Sequence, residues 1–370
     1  VSDAFVGKDF KASNDGLKWA KAGPGVIPAW VADMDIPTAP EVREALRRRA
    51  GGDLGYPLWL DSPQCEPLAE AFAERMATRF GWAADPGLVR SYSDLNQALQ
   101  VLLHVCTEPG DAVALHTPAY HPFLGTLESM DRPLRSIPMV PDGDSWRFEV
   151  PDLTGCRVLL LVNPHNPTGR VFTRAELEEL AGLAERHDLL VISDEIHADL
   201  VYEPHRHIPF ATILPGRTVT VTSATKAFNL GGIRCSVAHV GAQQARKALD
   251  AQPEFVFGSP SVFGVEATVA AWRHGDAWLE ETRALLDRNR HTIASRLPEG
   301  VTYRLPEATY LAWLGYGRPG MAEVLEREAK VLLSDGAAFG PGGETFARLN
   351  FATTEPVVEE ILRRIAQVAL

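Results

Sequence analysis

An α/β fold built on a mostly parallel sheet, followed by a smaller α+β unit, is the architecture this sequence predicts. Three observations lead to it. From about residue 88, short apolar runs alternate with stretches of helical period. Polar clusters close three of those runs: "NPHNPTG", "DEIH" and "SATK". The last eighty residues, from "RNRHTIASRLPEGVTYRLPEATYLAWLGY" to the carboxyl end, read as a helix, a few strands and a closing amphipathic helix.

The opening forty residues carry little periodicity before the helix "APEVREALRRRA" and are expected to pack against the second unit. "ALQVLLHV" reads as a helix, "DAVALHTP" as a strand, and a helix opens near "YHPFLGTLESM". After "LRSIPMV" comes the strand "RVLLLVNP", then the helix "TRAELEELAGLAERH", where Thr173 and Glu176 have the spacing of a capping box. The strands "LLVISDE", "RTVTVTSA" and "SVAHVGA" come next. Runs this short and apolar, split by helices, imply a parallel sheet covered on both faces. Ligands gather at the carboxyl ends of such strands, so the three polar clusters converge on one crevice. The domain boundary is expected within the long helix beginning near Trp278. That gives a large domain over 41–285 and a small one from 1–40 and 286–370.

Bulk properties narrow the partners. The 370 residues are 45% apolar, enough for a large core and two domains. A net charge of −12 without a basic stripe argues against nucleic acid or an anionic membrane. No apolar run reaches membrane-spanning length, and the opening "VSDAFVGKDFKASNDG" lacks the plan of a signal peptide. Cys65, Cys106, Cys156 and Cys235 are widely spaced and read as reduced thiols of a cytoplasmic protein.

Lys226 carries the chemistry. It leaves a strand end among Ser223, Ala224 and Thr225, where small neighbours leave room for a bulky group against its amine. Burial lowers an amine's pKa, and a neutral amine is what a Schiff base needs. A lone lysine there is far more often a snorkelling strand-end residue, so the surrounding residues have to carry the functional reading. A cofactor with an aldehyde, a ring nitrogen, a phenolic oxygen and a phosphate would use the surrounding residues together. Lys226 answers the aldehyde, Asp194 the ring nitrogen, Asn166 the phenolic oxygen and Tyr120 the ring face. Ser223, Arg234 and the helix start at "LNQAL" answer the phosphate.

The run S-A-T-K-x-x-N-L-x-G-x-R resembles the lysine motif of fold-type-I pyridoxal-phosphate (PLP) enzymes, the aspartate aminotransferase superfamily. "NPHNPTG", "SDEIHADLVY" and "FARLNFATT" resemble further blocks of it. "WVADMDIPTAPEVREAL", "LGYP" and "DEIHADLVY" followed by "HIPF" resemble its cystathionine β-lyase subgroup, the C–S lyases of maltose-regulon-modulator type. The resemblance implies a mostly parallel seven-stranded sheet and a homodimer with shared sites. It implies that Lys226 holds the cofactor and moves the substrate's Cα proton, while Asp194, Asn166, Tyr120 and Ser223 bind the cofactor. Tyr56 would reach the phosphate from the neighbouring subunit, and Arg348 would clamp the substrate carboxylate.

Two departures stand out. The subgroup's usual phosphate-helix start is replaced by "SDLNQAL", so Leu95 and Asn96 become the phosphate contacts and Asp94 stands oddly close to an anion. Arg234 fits the aminotransferase pattern better than the lyase one. His197 is open between a core histidine near the cofactor and one that tunes the ring.

Other features have blander readings. His205 and His207 alternate as metal ligands could, but no third ligand is near and no metal is expected. Asp33 and Asp35 could mimic a carboxylate dyad, though a loop lining the substrate mouth is the preferred reading. "GPGGE" is a turn rather than a phosphate loop. With Ala32 and Asp33 at that mouth, an acidic and apolar rim disfavours a dicarboxylate such as 2-oxoglutarate. The expected reaction is α,β-elimination from a cysteine thioether, cystathionine-like or an S-substituted cysteine, giving pyruvate, ammonia and a thiol. Alternatives are an aminotransferase, a specialised-pathway enzyme acting on a cysteine conjugate, and a regulatory binding protein.

Overall fold

The computed structural model describes residues 16–62, 64–253 and 256–368. The opening stretch 1–15, which bears on the signal peptide and on packing against the second unit, lies outside the described residues. One large mixed sheet runs in the order Val89–Tyr92, Ser236–Val240, Thr218–Thr222, Leu190–Asp194, Cys156–Val162, Ala112–Thr117, Leu134–Asp142, Ser145–Phe148. Its five central strands, from Thr218–Thr222 to Leu134–Asp142, are parallel, and the flanking pairings are antiparallel. Every residue of Leu190–Asp194 and Thr218–Thr222 is buried, as sequences this apolar require when helices cover both faces.

The sheet has eight strands where the resemblance implies seven. Ser145–Phe148 folds back on Leu134–Asp142 as a hairpin. Pro138 and Pro141 interrupt that run in the sequence; Pro138 closes the pairing with Ala112–Thr117, and beyond it the strand is paired only with Ser145–Phe148, where proline is tolerated. The helix Arg174–Arg186 starts at the expected capping box, with the Thr173 and Glu176 side chains each receiving the other's backbone N–H. "GPGGE" forms turns.

A second, four-stranded antiparallel sheet comprises Thr302–Tyr303, Leu311–Gly315, Phe346–Asn350 and Ser334–Asp335. Ile27–Pro28 pairs in parallel with Val331–Leu332, which ties the early segment to this late part of the chain. The helix Asp276–Arg296 packs on the closing helix Glu355–Ile365. Asn289 on it donates to the carbonyls of Phe351 and Thr353 at 2.9 and 2.8 Å. Among the described residues, no helix is long and apolar enough to cross a membrane.

Candidate active site

The register of the central strands brings the chemistry together. Val162 pairs with Asp194 and Asp194 with Val221, so three strands stop level at their carboxyl ends. The turns beyond them surround one cavity. Ala32, Asp94, Leu95, Asn96, Tyr120, Asn166, Asp194, His197, Thr225, Lys226 and Arg234 line it, with Phe123, Val162, Ile196 and Gly231. Most of the residues singled out in the sequence are in that wall. A larger recess bounded by Leu60, Arg90, Tyr92 and Phe257 lies apart and contains none of them.

Each polar wall residue has a structural reason for its position. Asp194 ends its strand and accepts from the Ile196 N–H at 3.0 Å. Burial pushes its carboxyl up to about 7, and the neighbouring Glu195 adds to the effect. Asn166 sits in a turn closed by Gly169 N–H donating to His165 O at 2.7 Å. Gly169 has φ +73°, and a Cβ there would meet the Pro306 Cβ at 2.4 Å, so glycine is required. Tyr120 precedes the helix His121–Ser129, its ring edge-on to Phe123. Burial raises its phenol pKa, and Asn96 reaches its hydroxyl.

Lys226 donates to Ala32 O at 3.3 Å. Burial first, and the Arg348 charge second, bring its amine down to about 8, while Asp33 and Asp194 pull the other way. The lysine is thus poised to lose its proton near neutrality. His197 is buried, with its ring edge toward Tyr310, and burial lowers its pKa to about 3, so it is neutral. Arg348, on the strand Phe346–Asn350, donates to Asn166 Oδ1 at 3.0 Å and Trp30 O at 3.1 Å.

The early segment 30–36 roofs the site because several side chains pin its backbone. Asn350 donates to Val31 O and Asp33 O at 2.6 and 2.7 Å. Asn229 exchanges bonds with Met34 and donates to Ile36 O. Sequence reasoning misses both asparagines, although Asn229 is the N of the K-x-x-N run. It also misses Thr225, Gly231 and Ile196 as wall residues, for their types carry no chemical signal.

Four expectations need correction or completion. Ser223 is not in the wall, because its hydroxyl donates to Cys235 O at 2.6 Å and accepts from the Thr225 N–H at 3.1 Å. Tyr56 is 94% exposed and away from the cavity of its own chain. Asp33 and Asp35 do not form a dyad. Asp35 is buried against Lys18 Nζ at 2.9 Å, so the acidic character of the rim rests on Asp33 alone. His207 faces Glu195 at 2.9 Å and His205 approaches Glu307 at 3.7 Å, so the two imidazoles serve different carboxylates. The oddity at Asp94 also has an explanation: it caps the helix Leu95–Cys106 through Gln97 N–H and forms a close ion pair with Arg234.

The wall fits PLP. Asn96 Oδ1 and His197 Nδ1 in the wall, and Arg348 Nε behind it, are buried without a hydrogen-bond partner among the described residues. A deprotonatable amine, a buried carboxylate, an aromatic face and a helix N-terminus beside an arginine match that cofactor's functional groups. Sheet topology and site together define a fold-type-I, PLP-dependent enzyme. A family model described as aminotransferase class I and II matches residues 32–365, and the chain belongs to that family. It is 34% identical over 361 residues to cystathionine β-lyase of Corynebacterium glutamicum, covering 95% of this chain and 96% of that one. It is 31% identical to cystathionine β-lyase PatB of Bacillus subtilis strain 168, with 98% of each chain covered. The PLP-bound C–S lyase of Staphylococcus hominis superposes with a TM-score of 0.85 at 27% identity, over 92% of this chain and 90% of that one.

Proposed function

We propose that the protein is a PLP-dependent C–S β-lyase that eliminates a thiol from a cysteine thioether, leaving pyruvate and ammonia. The supporting observation is the cation inventory of the cavity. Lys226 is the amine of the wall, and Arg234, its arginine, is already paired with Asp94; Arg348 lies behind the wall, donating to its Asn166, and is placed for one carboxylate. A second carboxylate, as in 2-oxoglutarate, finds no free arginine among the described wall residues and meets Asp33 near Lys226. The relatives' names agree with this reading.

PLP, when bound, makes the substrate's Cα–H acidic by withdrawing electrons from that carbon. Lys226 would hold the cofactor and then carry the Cα proton. Asp194 would bond the ring nitrogen and Asn166 the phenolic oxygen, with Tyr120 against the ring. Leu95 and Asn96 N–H groups, with Arg234, would hold the phosphate. Ser223 would support that cradle from within its turn rather than from the wall. His197, neutral and buried, would neither donate charge to the site nor remove it. Arg348 would orient the substrate through its carboxylate, with Ala32 and Asp33 at the mouth. In a homodimer, Tyr56 would complete the partner's phosphate site, which agrees with its exposure here beside exposed Leu54 and Leu58. The pairing of Ile27–Pro28 with Val331–Leu332 supports a small domain made from 1–40 and 286–370 around a large one at 41–285.

One observation favours transamination instead: the aminotransferase-type arginine at 234. The two readings separate in one experiment. The purified holoenzyme is given L-cystathionine, S-alkyl cysteines, or an amino acid with 2-oxoglutarate, and pyruvate, thiol and glutamate are measured in parallel. Elimination yields pyruvate and thiol in equal amounts. Steady glutamate without pyruvate overturns the lyase reading.

A further inference from the structure

The residue after Asp194 is a second buried carboxylate, Glu195, only 3% exposed. Its surroundings are unusually complete. Oε1 accepts from Ser193 Oγ at 2.9 Å and from the Phe210 N–H at 3.0 Å. Oε2 meets His207 Nε2 at 2.9 Å. An ionised carboxylate only accepts, so Nε2 carries the proton and donates it into this bond. The backbone of Glu195 is also engaged: its N–H donates to Val221 O at 2.9 Å and its carbonyl accepts from Thr222 Oγ1 at 3.2 Å. One residue therefore joins the strand ending in Asp194, the segment carrying His207 and Phe210, and the strand leading to Lys226.

This arrangement has an electrostatic consequence. A second negative charge beside Asp194 drives protons onto it, whereas a carboxylate facing the cofactor's ring nitrogen must be ionised. The three donors on Glu195 do not remove that charge; they fix where it lies, and with it the backbone that carries Asp194. His207 plays no part in the cavity wall and is packed edge-on against Phe80 at 5.3 Å.

We infer that His207, acting through Glu195, is a positioning residue for Asp194, holding that carboxylate in place for the cofactor. This rests on the reading of Asp194 as the ring-nitrogen partner, so the test carries an arm for each. Holoenzymes of wild type, H207L, H207Q, F80L and D194N are compared for kcat, KM, cofactor dissociation constant, the visible absorption of the bound cofactor and thermal midpoint. H207L should lower kcat and weaken cofactor retention by about tenfold each, from the lost charge-assisted bond, with KM little changed. H207Q, whose amide N–H still reaches Glu195, should recover most of both. F80L, which disturbs the same packing but no hydrogen bond, should lower the thermal midpoint and leave kcat and the spectrum unchanged. If D194N is inactive while H207L matches wild type in kcat and spectrum, the inference falls alone. It also falls if F80L reproduces the H207L kinetics. If D194N behaves as wild type, the underlying reading of Asp194 falls with it.

Discussion

Replacing Arg348 by alanine should separate substrate binding from cofactor binding. The guanidinium is buried, donates to Asn166 and Trp30, and retains a buried Nε without a partner among the described residues. Burial lowers its pKa to about 10, so it stays charged at neutral pH. Its ring neighbour Phe339 lies 4.8 Å away and fixes the plane of the fork. Two charge-assisted bonds to a substrate carboxylate contribute about 3–4 kcal/mol, so R348A should lose ~10²–10³-fold in kcat/KM. Leaving Asn166 Oδ1 and Trp30 O without this donor should cost about 1–2 kcal/mol of stability. The assay is pyruvate release from an S-alkyl cysteine, with the cofactor's absorption recorded to establish that the site is loaded. The decarboxylated amine analogue of that thioether, which has no carboxylate to clamp, should bind wild type and R348A alike. A loaded R348A enzyme within about threefold of wild type in kcat/KM would refute the assignment.

Other consequences attach to individual residues. Because the amine of Lys226 is held near 8, capture of PLP by apoenzyme should accelerate about tenfold per pH unit below that value and level off above it. A rate still rising beyond about pH 9 would mean an unperturbed lysine. D35A leaves Lys18 buried and unpaired, so it should destabilise the fold by about 3–5 kcal/mol in urea titration, and D35A/K18M should recover part of that. If Tyr56 serves the partner's site, mixing K226A subunits with Y56A subunits should restore activity toward about a quarter of wild type, one intact site in half of the randomly exchanged dimers. No recovery after demonstrated subunit exchange would remove Tyr56 from the site.

The residues most legible in the sequence are those whose chemistry conflicts with their setting. Lys226 among small residues, Asp194 closing an apolar run and Asn166 between prolines all lie at parallel strand ends, where local pattern and fold topology coincide. The less legible features depend on distant partners. Asp94 and Arg234 are 140 positions apart and neutralise one another, and each alone reads as a departure from type. Asp35 reads as part of an acidic rim because its partner, Lys18, lies across a turn that periodicity does not encode. His207 reads as half of a loose metal-like pair and Glu195 as part of a motif, because neither sequence context reveals that they face each other. The hairpin strand Ser145–Phe148 is hidden by the prolines of its neighbour.

The central claim is that Lys226 is the amine that holds PLP. Borohydride reduction of the holoenzyme, followed by proteolysis and mass spectrometry, tests it most directly. The account requires the pyridoxyl mass on the peptide containing Lys226, and no such adduct in K226A although that variant remains folded. An adduct on another lysine, or none on wild type supplied with PLP, contradicts it.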